Sequence, residues 1–174
     1  MNAHPTVDTS ASVFTCRHPS PLGELTLVAS ATGVRGVYFA EHRHFSGPGD
    51  WRHDSEQPLL RSLTVQLDAY FAGSARSFSL PLEPIGTPFQ QRVWAALCAL
   101  EFGSTVSYTQ LAHACGKPNA VRAVASAIGR NPISMLILCH RVLGSNGALT
   151  GYAGGIPRKQ FLLALEQHQA LELA

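Results

Sequence analysis

The sequence predicts an α+β protein: an N-terminal α/β domain, a small β-sheet with one helix, over residues 13–82, and a mainly helical C-terminal domain over 87–174 that contains a helix-turn-helix. Three observations predict it. Short runs of alternating apolar and polar residues, broken by glycine and proline, fill most of the first half and read as strands. Apolar residues at helical spacing, opened by two capping boxes, fill the second half. Pro81-Leu-Glu-Pro84 interrupts both patterns and puts the domain boundary within 73–86. With 174 residues and 45% apolar content, the chain can bury a real core.

The elements follow in order. Residues 1–12 are polar, carry no basic-then-apolar signal pattern, and read as a disordered tail. Residues 14–16, 23–29 and 34–39 read as strands. Residues 41–57 read as a polar loop, whose His42, His44 and His53 show no metal-ligand spacing. Residues 59–71 form an amphipathic helix with Leu60, Leu63, Leu67 and Tyr70 on one stripe, and 73–86 a strand and linker. Thr87, Pro88 and Gln90 then cap a helix whose stripe is Val93, Trp94, Leu97 and Leu100, ending near Gly103. Ser107 and Gln110 cap a second, running to about Cys115. After a turn at 116–119, a third helix spans 120–128, stopped by Gly129 and Asn131-Pro132. Two short helices around a glycine-containing turn are a helix-turn-helix signature. The last helix runs from Pro157 to about Leu173.

No apolar run approaches the ~20 residues that a membrane-spanning helix needs. The four cysteines, Cys16, Cys98, Cys115 and Cys139, form no CxxC pair and no disulfide framework, which predicts reduced thiols in the cytoplasm. Residues 1–86 carry six Lys/Arg against eight Asp/Glu, a balance of −2; residues 87–174 carry seven against three, a balance of +4. A positive half fits a polyanionic partner.

The chemistry concentrates at Cys139-His140, after an apolar run and before the glycine-rich stretch 144–155. A thiol attacks carbon as thiolate, and a nearby imidazole is the usual way to make one. In the helix over 120–128, Val121, Val124, Ala125 and Ile128 form the inward face. Arg122 therefore projects outward among Ala120, Ala123, Ser126 and Ala127, small residues that let a helix backbone approach a nucleic-acid groove closely.

Residues 87–166 resemble the catalytic domain of the O6-alkylguanine-DNA alkyltransferases, the suicide repair proteins for alkylated guanine. The resemblance runs in order through Thr87-Pro-Phe-Gln-Gln-Arg-Val-Trp94, Val106-Ser-Tyr-Thr-Gln-Leu-Ala112, Val121-Arg-Ala-Val124, Asn131-Pro-Ile133, Cys139-His-Arg-Val142, Gly147-Ala-Leu-Thr-Gly-Tyr-Ala-Gly-Gly155 and Arg158-Lys-Gln-Phe-Leu-Leu-Ala-Leu-Glu166. The first half matches more loosely, through Ser20-Pro-Leu-Gly23 and Tyr70-Phe-Ala-Gly73.

The resemblance implies transfer of an alkyl group from O6-alkylguanine, and from O4-alkylthymine, irreversibly to Cys139. It implies a flipped base, a Cys139–water–His140 relay oriented by Glu166, and Asn131 tying the recognition helix to the active segment. Tyr108 would press on a phosphate and reach guanine N3; Val142, Tyr152, Ala153 and Gly154 would line the base pocket, with backbone groups of Cys139 and Val142 reading the guanine edge. Arg122 would fill the vacated stack, and Thr109, Lys117 and Ser145 would contact phosphates. The expected partner is double-stranded DNA containing alkylated guanine, with no membrane, no cofactor, no metal, and a monomeric protein. Relatives that carry zinc have ligands where this chain has Ser30 and Arg35. The family's usual proline before the cysteine is Leu138 here, and Ala125 and Ser126 stand where glycine is frequent. A non-catalytic or weakly catalytic sensor that binds alkylated DNA is the alternative, although non-catalytic relatives replace the cysteine; a helix-turn-helix regulator would need no thiol, and a small-molecule thiol hydrolase would not explain Arg122 on a small-residue helix.

Overall fold

The computed structural model describes residues 12–171. Most of the expected tail, 1–11, and the expected end of the last helix, 172–174, lie outside the described residues.

Four strands form a mixed sheet: β1 (Phe14–His18), β2 (Leu25–Ala29), β3 (Val34–Phe39) and β4 (Arg52–His53), in the order β3-β2-β1-β4. The first three pair antiparallel, and β4 pairs parallel to β1 through Phe14↔Arg52 and Thr15↔His53. The sequence reading made β4 part of a loop. It is two exposed residues long, too short for a period-2 pattern, and exists because β1 offers a free edge.

Leu25, Leu27 and Ala29 alternate along β2 onto one face. There they join Leu60, Leu63 and Leu67 of α1 (Pro58–Phe71) in the core, all fully buried. Each such leucine contributes ~1.5–3 kcal/mol of burial. The segment 73–86 contains no strand, only a bridge from Leu82 to Val34.

The second half is helical: α2 (Pro88–Cys98), α3 (Tyr108–Ala114), α4 (Val121–Gly129) and α5 (Ile156–Leu171), with a two-stranded parallel pair, β5 (Val106–Ser107) and β6 (Val142–Leu143). Both capping boxes form, at Thr87/Gln90 and at Ser107/Gln110. Helix α2 ends at Cys98 rather than near Gly103, its last turn tightened by Ala99 N and Leu100 N donating to Ala96 O (3.3 Å) and Leu97 O (3.2 Å), and Arg141 Nη1 donates to the carbonyls of Leu100 and Glu101 beyond it, each at 2.8 Å. Helices α3 and α4 form the helix-turn-helix, and Trp94 of α2 fixes α4 by donating from Nε1 to Ala127 O at 2.9 Å. Ala127 is therefore core, not part of the exposed small-residue face.

One hydrophobic cluster runs through both halves. The outer edge of β3 joins them. Val37 donates to Pro132 O at 2.9 Å and accepts from Ser134 N at 3.2 Å, while Val34 exchanges bonds with Pro81 and Glu83. The sheet edge thus holds the segment that leads to Cys139. At the places of the absent zinc ligands, Ser30 donates to Glu83 and Arg35 pairs with it at 2.9 Å, tying the linker to β3.

Candidate active site

The segment 131–141 winds through the core and delivers Cys139 at the start of a single 3-10 turn, Cys139–Arg141. Asn131, 1% exposed, organises it. Its Oδ1 accepts from Ile133 N at 2.9 Å, which turns Nδ2 toward Ile137 O (2.9 Å) and Cys139 Sγ (3.0 Å). Leu138, at φ −79° and ψ 46° with Cys139 N donating to Ile137 O at 2.8 Å, is the centre of an inverse γ-turn. Leucine here holds the φ that proline would impose. Leu138→Pro should therefore fold with a melting temperature within a few degrees of the parent's, because the entropy gain (~0.4–1 kcal/mol) offsets the lost packing of a half-buried leucine. Thermal melting of the two proteins checks this.

His140 is fully buried, and its Nε2 lies 2.7 Å from Glu166 Oε1 on α5. Burial alone would raise the Glu166 carboxyl, but His140 and Arg141 outweigh it and hold it at about 2. An ionised Glu166 can only accept, so Nε2 carries a proton and donates it to the carboxylate. Nδ1 is buried and has no hydrogen-bond partner among the described residues. Glu166 also accepts from Tyr70 Oη at 2.8 Å and from both Nε (2.8 Å) and Nη2 (3.1 Å) of Arg141. The carboxylate is saturated and immobile.

Lys159 is fully buried too, donating to the carbonyls of Val142, Thr150 and Gly151 without a carboxylate partner among the described residues. Burial lowers its ammonium to about 8, and the charge of the Cys139 thiolate works the other way. Burial pushes the Cys139 thiol up to about 11, against the opposing effects of Asn131 and Lys159. A sulfur shut in at 3% exposure is thereby held toward the thiol form.

A groove of about 720 Å³ opens along the helix-turn-helix. Tyr108, Thr109, Arg122, Ser145, Tyr152 and Ala153 line it, so six of the residues singled out in the sequence share one surface. Tyr108 Oη donates to Thr150 O at 3.1 Å. Three others stand elsewhere. Lys117 lies in the exposed turn before α4. Val142 is buried, its carbonyl already engaged by Lys159. Gly154 lines a second cleft with Pro157 and Arg158, packed so closely on Phe39 that a Cβ would meet its ring at 2.4 Å. The buried hydroxyls of Ser134 and Tyr152 neighbour each other and have no other hydrogen-bond partner among the described residues.

Sequence reasoning missed Tyr70, Arg141 and Lys159. Arg141 sits inside the quoted Cys139 motif and Lys159 inside the quoted α5 motif, so both were in view without a role. Among the described residues no group of three or more His, Cys, Asp or Glu could hold a metal ion, and no helix is long and apolar enough to cross a membrane.

Fold and site together define a helix-turn-helix protein with a sheet buttress and a buried thiol set beside a histidine–glutamate pair. Comparison with known proteins agrees. Residues 88–168 match the family model for the 6-O-methylguanine DNA methyltransferase DNA-binding domain, and 17–84 match its ribonuclease-like domain. The methylated-DNA–protein-cysteine methyltransferase of Methanosarcina barkeri is 44% identical over 150 residues, covering 86% of this chain and 94% of its own. The crystal structure of the Mycobacterium tuberculosis O6-methylguanine methyltransferase superimposes with a TM-score of 0.83 at 41% identity, covering 92% of this chain and 98% of that one. That of M. tuberculosis OGT in complex with DNA does so with a TM-score of 0.82 at 40% identity, covering 91% and 94%. The chain belongs to the 6-O-methylguanine DNA methyltransferase family.

Proposed function

We propose that this protein repairs O6-alkylguanine in duplex DNA by moving the alkyl group irreversibly onto Sγ of Cys139, with residues 87–174 as the catalytic unit and 13–82 holding the active segment. The observation that carries the reading is a buried Cys139 thiol accepting from the Asn131 amide, directly before a His140 whose Nε2–H is committed to an ionised Glu166. O4-alkylthymine, which presents a comparable alkylated exocyclic oxygen, is a second substrate. The acting species is a cytoplasmic monomer.

The damaged base is stacked in the duplex and is flipped into the groove, with Arg122 filling its place. Tyr108 bears on the adjoining phosphate and turns its hydroxyl to guanine N3; Thr109, Ser145 and Lys117 meet the backbone. Tyr152 and Ala153 face the base, with Val142 and Gly154 shaping the wall behind them. The thiol proton passes to His140 Nδ1, through water because adjacent side chains do not face one another, and Glu166 stabilises the imidazolium. Lys159 and Asn131 favour the thiolate, which attacks the alkyl carbon. The S–C bond forms as the C–O bond breaks, the electron pair stays on guanine O6, and the proton returns to the base.

No step regenerates the thiol, so each molecule acts once. Incubation with a duplex containing O6-methylguanine should add one methyl group per protein, located on Cys139 by peptide mass spectrometry, with no turnover under excess DNA. Duplex binding with unmodified mass would instead identify a binder of alkylated DNA.

A further inference from the structure

The groove has a wall that the helix-turn-helix does not supply. Arg43 and His44, from the segment between β3 and β4, line it together with Tyr108, Arg122, Arg130 and Ser145. No carboxylate lines it. The guanidinium groups of Arg43, Arg122 and Arg130 make no hydrogen bond or ion pair with the described residues.

Arg43 is exposed, but its backbone is fixed. Arg43 N donates to Ala153 O at 2.8 Å, joining it to the loop that carries Tyr152. On either side the chain is pinned by rings: Tyr38 and Phe45 stack at 4.0 Å, Phe45 and Trp51 at 6.1 Å, and the buried His42 meets Tyr38 edge-on at 5.2 Å. His44 is held at φ +65°, a conformation a non-glycine residue keeps only where its surroundings impose it. A long cation on a rigid support, unpaired and facing a carboxylate-free groove, is suited to a diffuse anion such as a nucleic-acid backbone.

We propose that Arg43 binds a backbone phosphate of the DNA, with His44 beside it, so that the N-terminal half holds the duplex from a side the recognition helix does not reach. The inference rests on the reading of this groove as a DNA site. It adds a contact outside the helix-turn-helix half, and it explains why the β3–β4 segment is anchored on the loop bearing Tyr152.

The test is the salt dependence of binding to a fluorescent duplex, measured by anisotropy for the parent, Arg43→Ala and Arg43→Lys. Loss of one phosphate contact should weaken Arg43→Ala about three- to tenfold near 0.1 M salt and reduce the slope of log K against log salt by ~1, with Lys restoring most of both. Transfer from free O6-methylguanine base, which has no phosphate, should proceed equally in all three. An unchanged slope and affinity in Arg43→Ala would overturn the inference, as would a matching loss of transfer from the free base, since Arg43 would then support the active site itself. Failure of the parent to bind duplex at all would instead bring down the underlying reading.

Discussion

Cys139→Ser abolishes alkyl transfer and leaves duplex binding intact. The substitution is small in volume, and the serine hydroxyl can still accept from Asn131 Nδ2, which now stands 3.0 Å from the sulfur. The fold should therefore persist, with a melting temperature close to the parent's. Chemistry is what is lost. Even with its pKa raised to about 11 by burial, the thiol is far easier to ionise than an alcohol, and sulfur attacks saturated carbon much better than oxygen does. Moving the histidine–glutamate pair to a serine works for acyl transfer because an oxyanion hole stabilises a tetrahedral intermediate; displacement at an alkyl carbon offers no such intermediate. The expected result is no mass gain after prolonged incubation with methylated duplex and an unchanged dissociation constant. Residual transfer with Cys98 or another thiol modified would move the acceptor elsewhere and refute the assignment.

The sequence made some features legible and hid others for identifiable reasons. Both capping boxes could be read because their partners lie three residues apart, so the code is local. The stripe of Leu60, Leu63 and Leu67 could be read for the same reason. The end of α2 could not, since Leu100 continues the apolar stripe while the residue bonded to its carbonyl, Arg141, is 41 positions away. β4 escaped notice because two exposed residues carry no period, and their pairing depends on β1.

Ordered motifs pick out Cys139, His140 and Glu166, and helical phase picks out Arg122; the structure joins His140 to Glu166 and puts Arg122 on the groove. Tyr70 was visible only as a core aromatic. Nothing local says that its hydroxyl meets a carboxylate 96 positions later. A buried lysine such as Lys159 is rare enough that composition argues against it; only the three carbonyls around Nζ make it intelligible. Arg43 stayed hidden because its groove is assembled from both halves of the chain.

Glu166→Ala should be the most destabilising single change at the site. It removes the acceptor for Tyr70 Oη and for His140 Nε2, and it strips Arg141 of both bonds on one edge of its guanidinium. Arg141 is 2% exposed and would stay buried with only the carbonyls of Leu100 and Glu101. Breaking a buried pair from one side costs about 3–5 kcal/mol, a large part of the ~5–15 kcal/mol that holds a domain folded. The urea midpoint should fall accordingly. The pH dependence carries the same signature. Glu166 titrates near 2 when folded against 4.5 for the free group, so between those values the unfolded chain binds more protons. Its contribution is complete above pH 4.5 and is lost as pH falls toward 2; a shift of this size corresponds to ~3 kcal/mol. Glu166→Gln keeps the shape and one acceptor but not the charge. It should retain more stability than alanine, flatten the acid limb of the stability profile, and still lose transfer, because a neutral amide neither enforces the Nε2–H tautomer nor stabilises the imidazolium. A Glu166→Ala protein with an unshifted midpoint and full transfer would show that the carboxylate neither supports the core nor acts through His140.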